Sequence, residues 1–202
     1  IWKEHDTQAT SLFDVQLYLS FWPTLFAGPI MRAKDFFEQL HSENFGKPLL
    51  PKRAIYLLLL GLFQKIVIAT WLANSFVDPV FKYPEDYFAI DTFNAILAYA
   101  LQIFFDFSGY SLIVTGCGLL LGFTLPINFA QPYLSLNLKE FWRRWHMSLS
   151  SFIRDYVYVP LGGNRHGFIF TQWNIFIAMV ISGIWHGAGM GFIVWGVVHG
   201  TG

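Results

Sequence analysis

Charged residues are scarce in this chain of 202 residues. They make up 13% of the sequence, whereas apolar residues make up 54% and aromatic residues 19%. A typical soluble domain carries about 25% charged residues, so this chain has too few to cover an ordinary water-facing surface. The composition therefore predicts an integral membrane protein.

The absence of net charge and the scarcity of cysteine argue against certain partners and metal sites. The 13 basic and 13 acidic residues cancel, so no excess charge favours a nucleic acid or another bulk polyanion as a partner. The single cysteine, Cys117, lies within an apolar run. One cysteine excludes an intrachain disulfide and argues against a cysteine metal cluster, so we interpret Cys117 as a small packing residue.

Long apolar runs predict an all-α polytopic membrane protein. About 20 apolar residues cross a bilayer core of roughly 30 Å. Four runs are about that long or longer, and a fifth begins near Met190. The first run contains Pro23 and Pro29, and Asp106 interrupts the third. We expect one membrane-embedded domain over residues 1–202, without internal repeats, that is an internal fragment of a longer protein. Its predicted transmembrane segments are 11–31, 54–77, 92–123, 168–185 and 190–202.

The distribution of charge predicts an orientation. Basic residues cluster in the regions 32–53 and 139–165, whereas the connection 78–91 contains four acidic residues and one lysine. Cytoplasmic connections are enriched in Lys and Arg, so the two basic regions are expected to face the cytoplasm and the acidic one to face outward.

Residues 125–165 form the predicted motif region between the third and fourth segments. Asn137 or Ser135 could cap a helix from about Lys139 to Ile153 that carries the Trp-Arg-Arg-Trp-His motif. We expect this helix to lie in the membrane interface or to be re-entrant. On it, helical spacing places Trp142, His146 and Ser150 on one strip. A neighbouring face carries Phe141, Trp145, Leu149 and Phe152.

His186 lies in an apolar run, where an ionisable side chain is expensive and therefore suggests a function. Imidazole titrates near neutral pH, so His186 could act as a general base on a hydroxyl. The alternative is a histidine that is hydrogen-bonded between closely packed helices. The sequence leaves both interpretations open.

His146 and its neighbours Arg143 and Arg144 also have two interpretations. Guanidinium groups suit the recognition of phosphate or pyrophosphate, but an interfacial helix also places tryptophans and arginines at the lipid headgroups. A zinc site with His146 and His186 would need further ligands, and none follows at a recognised spacing. Asp106 could orient a histidine, pair with a motif arginine, or form an interhelical hydrogen bond.

Several motifs resemble those of the membrane-bound O-acyltransferase family. They include Trp142-Arg143-Arg144-Trp145-His146 with its continuation to Arg165, and Trp185-His186-Gly187-Ala188. Ala27-Gly28-Pro29-Ile30 and the segment 106–111 resemble its bacterial branch, in which aspartate commonly stands where this chain has Leu112. The Pro-Leu-Gly-Gly-Asn-Arg continuation is most similar to the alginate O-acetylation type.

The resemblance implies acyl transfer to a hydroxyl. It makes His186 the principal catalytic residue and places His146 near the acyl-donor path, together with Trp142, Arg143, Arg144, Trp145, Asp106 and Trp185. It implies no tightly bound cofactor and no metal, with acetyl-CoA or another acyl thioester as the donor. The acceptor would be a polysaccharide such as alginate, reached directly or through an extracytoplasmic acyltransferase partner, and the protein would be multi-pass in the bacterial cytoplasmic (inner) membrane, in contact with lipid.

Three alternatives remain at this stage. Within the enzyme class, the chain could transfer D-alanine to teichoic acid. Broken helices with intramembrane charge also suit a transporter. Thirdly, the chain could be a non-catalytic scaffold of an envelope polysaccharide complex.

Overall fold

The computed structural model describes residues 11–43, 45–187 and 189–201. All regular secondary structure in these ranges is helical, which confirms the predicted fold class. Ala188 of the predicted histidine motif, Gly202 and residues 1–10 lie outside the described residues. The sequence predicts one domain, and the contacts group the chain into two compact units, one up to Asn128 and one from Phe129 onward.

The first unit begins with three short helices: α1 (Leu12–Ser20), α2 (Trp22–Leu25) and α3 (Ala33–Leu40). The predicted segment 11–31 is therefore not one continuous helix. The chain leaves helical geometry at Phe21, and Pro23 follows as the second residue of α2. Proline has no N–H to donate to the preceding turn, so Pro23 cannot continue α1.

An aromatic core holds these short helices in the first unit. Phe36 is completely buried and stacks on Phe123, with ring centroids 5.0 Å apart and planes 12° apart. Phe21 meets both rings, at centroid distances of 5.2 and 4.8 Å. The Tyr18 hydroxyl donates a hydrogen bond to the carbonyl oxygen of Met31 at 2.9 Å. Apolar burial thus stabilises this region although its helices are short.

Two long helices complete the first unit. They are α4 (Pro51–Lys82), which contains π-helical stretches at Phe63–Ala69 and Ala73–Val77, and α5 (Ala89–Leu120). A Cβ at Gly61 would lie 2.6 Å from the carbonyl oxygen of Gly109, so glycine permits the close approach of the two backbones. α5 is one continuous helix, although Asp106 interrupts its apolar run.

An ion pair joins the middle of α4 to the middle of α5. The Lys65 ammonium nitrogen donates a short hydrogen bond to the Asp106 carboxylate. Nearby on the same helices, the side-chain carbonyl oxygens of Gln64 and Gln102 are buried without a hydrogen-bond partner in the described part of the chain. Polar groups are therefore concentrated between two otherwise apolar helices.

The described part of the second unit contains four α-helices. They are α6 (Leu138–Arg144), α7 (Met147–Ile153), α8 (Phe168–His186) and α9 (Met190–Thr201), and a π-helical stretch, Arg154–Tyr158, extends α7. The Asn137 side chain caps α6 by accepting a hydrogen bond from the backbone N–H of Glu140 at 2.9 Å, so Asn137, one of the two predicted candidates, is the cap.

The prediction of one helix from about Lys139 to Ile153 is wrong. The backbone is extended at Trp145 and left-handed at His146, where φ is 42°, and this divides the segment into α6 and α7. The cause is a tertiary hydrogen bond, since the Arg144 carbonyl oxygen accepts the N–H of Ala130 at 3.0 Å. A continuous helix would need that carbonyl for the N–H of Ser148.

Three of the described helices are long and apolar enough to cross a membrane. They are α4, α5 and α8, and they coincide with the second, third and fourth predicted segments. α9 is apolar but has only 12 residues in the described range. Most large apolar side chains on the outer faces of these helices are exposed, as expected for surfaces that contact lipid or further protein.

Candidate active site

A cavity of about 270 Å³ in the second unit brings the two motif histidines together. His146 enters it from the break between α6 and α7, and His186 from the end of α8; their ring centroids are 6.5 Å apart. The rest of the wall is largely apolar. It consists of Trp142, Trp145, Leu149, Ser150, Ile153, Arg154, Tyr158, Ile175, Ala178, Met179, Ser182 and Trp195.

His146 is almost completely buried, with 5% of its surface exposed. Burial penalises the charged imidazolium, and the proximity of His186 adds to this effect, so the pKa of His146 falls from 6.5 to about 4. His146 is therefore a neutral imidazole at physiological pH. In that form one ring nitrogen donates a hydrogen bond and the other accepts one.

The left-handed backbone at His146 aims its side chain into the cavity. Its carbonyl oxygen accepts the N–H of Ser150 at 3.0 Å and so begins α7. Few residues other than glycine adopt a left-handed conformation, although histidine is among those that do so more often. The tertiary hydrogen bond between Ala130 and Arg144 thus determines where the imidazole points.

His186 is exposed in the described chain and lies between aromatic rings. It stacks on Phe192 at a centroid distance of 6.1 Å and meets Trp195 nearly edge-on at 5.4 Å and 74°. Trp185 lies 5.1 Å from His186 and 6.0 Å from His146. Aromatic contacts therefore surround the His186 ring on several sides and limit its rotation.

Helices α8 and α9 approach so closely that the wall of the cavity is rigid at this end. A Cβ at Gly196 would lie 2.7 Å from the carbonyl oxygen of Met179, and a Cβ at Gly183 would overlap the carbonyl oxygen of Phe192. Only glycine fits at both crossings. The positions of His186 and Trp195 relative to each other therefore depend on these small residues.

The predicted site residues are only partly brought together. Trp142 and Trp145 line the cavity with the two histidines, whereas Arg143 is exposed and is not among the lining residues. Arg144 forms an ion pair with Glu140 at 2.5 Å and donates to the Gln131 carbonyl oxygen at 3.5 Å. In this structure Arg144 thus stabilises the loop before α6, and its proposed role in donor binding stays a prediction.

Asp106 has an interhelical partner. Of the three possibilities that the sequence left open, the structure shows a contact between helices, since Asp106 pairs with Lys65 in the first unit. The predicted part of Asp106 in the donor path is not tested by this contact. Among the described residues, no group of three or more His, Cys, Asp or Glu side chains is arranged to hold a metal ion.

Several residues at or beside the cavity were not named as site residues from the sequence. Arg154 and Trp195 line the cavity, and His199 contacts two of its tryptophans. Trp195 and His199 are spaced i, i+4 on an apolar helix, so they lie on the same face. That spacing, with a histidine inside an apolar run, was the pattern that could have identified them.

The arrangement suits proton transfer in a largely apolar cavity. The neutral His146 imidazole lies beside the His186 imidazole, and both line the cavity, whose wall is largely aromatic and aliphatic. An apolar environment strengthens a hydrogen bond to a developing charge. The fold and the site together define an all-helical membrane protein with a histidine-lined cavity.

The chain belongs to the membrane-bound O-acyltransferase family, whose model matches residues 2–201. This confirms the resemblance that the motifs indicate. The match extends across both compact units of the chain.

The chain is similar to several bacterial proteins. It is 41% identical over 191 residues to the peptidoglycan O-acetyltransferase of Helicobacter pylori, covering 93% of this chain and 36% of that protein. It is 42% identical over 197 residues to the probable alginate O-acetylase of Azotobacter vinelandii, covering 97% and 39%. The teichoic acid D-alanyltransferase of Streptococcus thermophilus is 34% identical over 201 residues, covering 92% and 48%.

These figures also define how much of a whole protein the chain represents. It spans 36% to 40% of the length of the O-acetyltransferase and O-acetylase relatives. Its own cavity and both motif histidines are nevertheless within the matched residues.

Proposed function

We propose that this chain forms part of a membrane-bound O-acetyltransferase that modifies hydroxyl groups of an extracytoplasmic polysaccharide, such as alginate. The observation that carries the proposal is the pairing of His146 and His186 across one cavity. The similarity to relatives named for O-acetylation of alginate and of peptidoglycan supports the choice of an acetyl group and a sugar hydroxyl.

The reaction assigns a different task to each histidine. His186 takes the proton from the acceptor hydroxyl while its oxygen attacks the thioester carbonyl carbon. The carbon–sulfur bond then breaks, and His186 returns the proton to the leaving thiolate. The products are the acetyl ester and the free thiol, so the protons balance. General base catalysis of this kind typically contributes 10²–10⁴-fold to the rate.

His146 is suited to hold the donor rather than to take the proton. Because burial keeps its imidazole neutral, it can donate a ring N–H to the thioester carbonyl oxygen, on which negative charge develops. Trp142 and Trp145 provide the apolar wall that the acyl group would face. Acetyl-CoA or another thioester would reach the site from the cytoplasmic side, which the basic residues of 139–165 indicate.

The proposed setting is the bacterial cytoplasmic membrane, with several crossings and the acceptor on its outer side. Three apolar helices of sufficient length support this setting. The acetyl group would pass to the polymer directly or through an extracytoplasmic partner enzyme. Both routes use the same proton transfer at His186.

The test compares the complete protein with three variants, His186→Ala, His146→Ala and His166→Ala, in membranes at matched abundance. Labelled acetyl groups are followed from acetyl-CoA into envelope polysaccharide. We expect His186→Ala to lose at least about 10²-fold in rate. His166 is an exposed histidine of the same unit that does not line the cavity, so His166→Ala is the matched control.

Other outcomes would identify the alternatives. Equal labelling in wild type and His186→Ala would overturn the proposal and favour the scaffold. Incorporation of labelled D-alanine instead of acetyl would assign the chain to the D-alanyl branch. Movement of a solute without cleavage of the thioester would indicate a transporter.

A further inference from the structure

His199 lies next to the cavity and is held in one orientation. Its Nδ1 atom is 2.8 Å from the carbonyl oxygen of Trp195, one helical turn earlier on α9. A carbonyl oxygen only accepts hydrogen bonds, so Nδ1 carries the hydrogen. This hydrogen bond defines the tautomer, whereas contacts with neighbouring rings hold the tilt of the imidazole.

The His199 ring contacts two tryptophans at once. It stacks on Trp195 with a centroid distance of 4.3 Å and an interplanar angle of 28°. It also meets Trp142 of α6 nearly perpendicularly, at 5.1 Å and 84°. Trp142 and Trp195 in turn touch each other at 6.0 Å and 81°. The three rings thus form one packed cluster that joins α6 to α9.

The two tryptophans of this cluster separate His199 from the cavity. Trp142 and Trp195 line the cavity, whereas His199 is not among the lining residues. Trp195 then meets the His186 ring at 5.4 Å and 74°. His199 therefore stacks on Trp195, the residue whose ring contacts His186, the candidate general base.

Rotation of the side chain is the main freedom left to Trp195. The close crossing of α8 and α9 at Gly183 and Gly196 fixes the backbone that carries it. The stacked His199 ring opposes rotation of the indole, because a turn of Trp195 would break the stack and the contact with Trp142. Loss of the His199 ring would allow the Trp195 indole to rotate. The His186 ring, which contacts that indole, would then lose its fixed orientation.

We propose that His199 is a positioning residue of the acyltransferase site, which holds Trp195 and Trp142 so that His186 keeps its reactive orientation. This inference rests on the proposed function. It predicts that the ring of His199 is needed for the rate of acyl transfer, whereas its ring nitrogens are not. A misplaced reacting group commonly costs about 10²-fold, even when the change lies away from the chemistry.

The experiment uses the complete protein in membranes and the variants His199→Ala, His199→Phe and Val198→Ala. Phenylalanine keeps a ring that can stack on Trp195 but has no proton to exchange. Val198 is the neighbouring residue on α9 and is 59% exposed, so its replacement controls for a change in this helix. Initial rates are measured against donor concentration and against pH.

We expect His199→Ala to lower kcat about 10- to 100-fold with little change in KM for the donor. His199→Phe should recover most of the rate and follow the wild-type pH profile. The proposal is overturned if His199→Ala matches Val198→Ala, which would make the ring dispensable. It is also overturned if His199→Phe is as slow as His199→Ala, because the imidazole itself would then be required.

A parallel His186→Ala sample separates the two levels of inference. If His186→Ala retains acyl transfer, the proposed function fails and the role of His199 fails with it. If His186→Ala is inactive while His199→Ala is normal, only the positioning role is wrong. Thermal unfolding of each purified variant shows whether a low rate reflects a misfolded protein.

Discussion

At the scale of single residues, His146 combines two unusual properties. Its backbone is left-handed and its side chain is almost fully buried, and both follow from the break between α6 and α7. The first property aims the ring into the cavity, and the second keeps it neutral. His186, the proposed general base, and His146, the proposed neutral hydrogen-bond donor, are thus the same residue type in two environments.

The depressed pKa of His146 makes stability depend on pH in a defined direction. Between about 4 and 6.5, the unfolded chain binds a proton at this residue and the folded chain does not. Lowering the pH through this range therefore reduces the free energy of unfolding, and the full contribution of the neutral ring is present above 6.5. His146 lies outside the three candidate membrane spans.

The comparison uses His146→Asn, because asparagine also tolerates the left-handed backbone. We expect the stability of wild type relative to this variant to fall as the pH decreases from 6.5 to about 4. Thermal unfolding of both purified proteins in detergent measures the difference. A difference that does not change with pH would show that His146 does not titrate with this shift.

At the scale of elements, the crossing of α8 and α9 determines the geometry of the site. Backbone atoms of one helix occupy the space where a side chain at Gly183 or Gly196 would project from the other. The close packing of α8 against α9 therefore depends on glycines, which have no side chain, rather than on large residues. Trp195, His199 and His186 can contact one another because these two helices lie so close.

Replacement of Gly183 by alanine tests this crossing. The added methyl group would overlap the carbonyl oxygen of Phe192, so the helices must separate. We expect a loss of about 1–3 kcal/mol in stability, as for other overpacked interiors, together with a strong loss of acyl transfer. Thermal unfolding and the labelling assay measure the two effects.

Gly191→Ala is the matched control, since a Cβ at Gly191 meets no atom within 4 Å. Alanine is favoured over glycine inside helices by roughly 0.5–1 kcal/mol, so this variant should be as stable as wild type or slightly more so. Equal behaviour of the two alanine variants would contradict the importance of the Gly183 crossing.

At the scale of the whole molecule, charge and apolar length agree on one arrangement in the membrane. The acidic connection between α4 and α5 is expected outside, and the basic regions 32–53 and 139–165 inside. This arrangement places the motif helix α6 toward the cytoplasm, where a thioester donor would be available. Under the proposed function, the acceptor polymer would then reach the site from the opposite side.

Cysteine labelling tests this orientation. With the native cysteine removed as Cys117→Ser, single cysteines are introduced as Glu85→Cys in the acidic connection and Arg165→Cys in the basic one. Both positions are exposed. We expect a membrane-impermeant maleimide to label Glu85→Cys in intact cells and Arg165→Cys only after permeabilisation. The opposite pattern would show that the orientation is wrong.

Local sequence predicted the features that depend on local chemistry. Apolar length identified α4, α5 and α8, and capping preferences limited the cap of α6 to Asn137 or Ser135, of which Asn137 is the cap. The strip of Trp142, His146 and Ser150 also lines one cavity, although the helix expected to carry it is broken. Composition and periodicity report these features because each depends on neighbours within a few residues.

Features that depend on distant partners were not predictable in this way. The break at Trp145 and His146 arises from a hydrogen bond with Ala130, fourteen residues before Arg144. The place of His199 arises from packing between helices, and the partner of Asp106 lies on another helix. Periodicity within one segment contains no information about such contacts.

The Lys65–Asp106 pair has a consequence for how the protein enters the membrane during synthesis. Each 32-residue helix is about 48 Å long at 1.5 Å per residue, and the pair lies near mid-length, where the hydrocarbon is deepest. Alone, a central charge costs a helix about 2.5–3.5 kcal/mol on insertion. Because only the short segment 83–88 joins α4 to α5, the two helices can partition together as a hairpin, with each charge already neutralised by its partner.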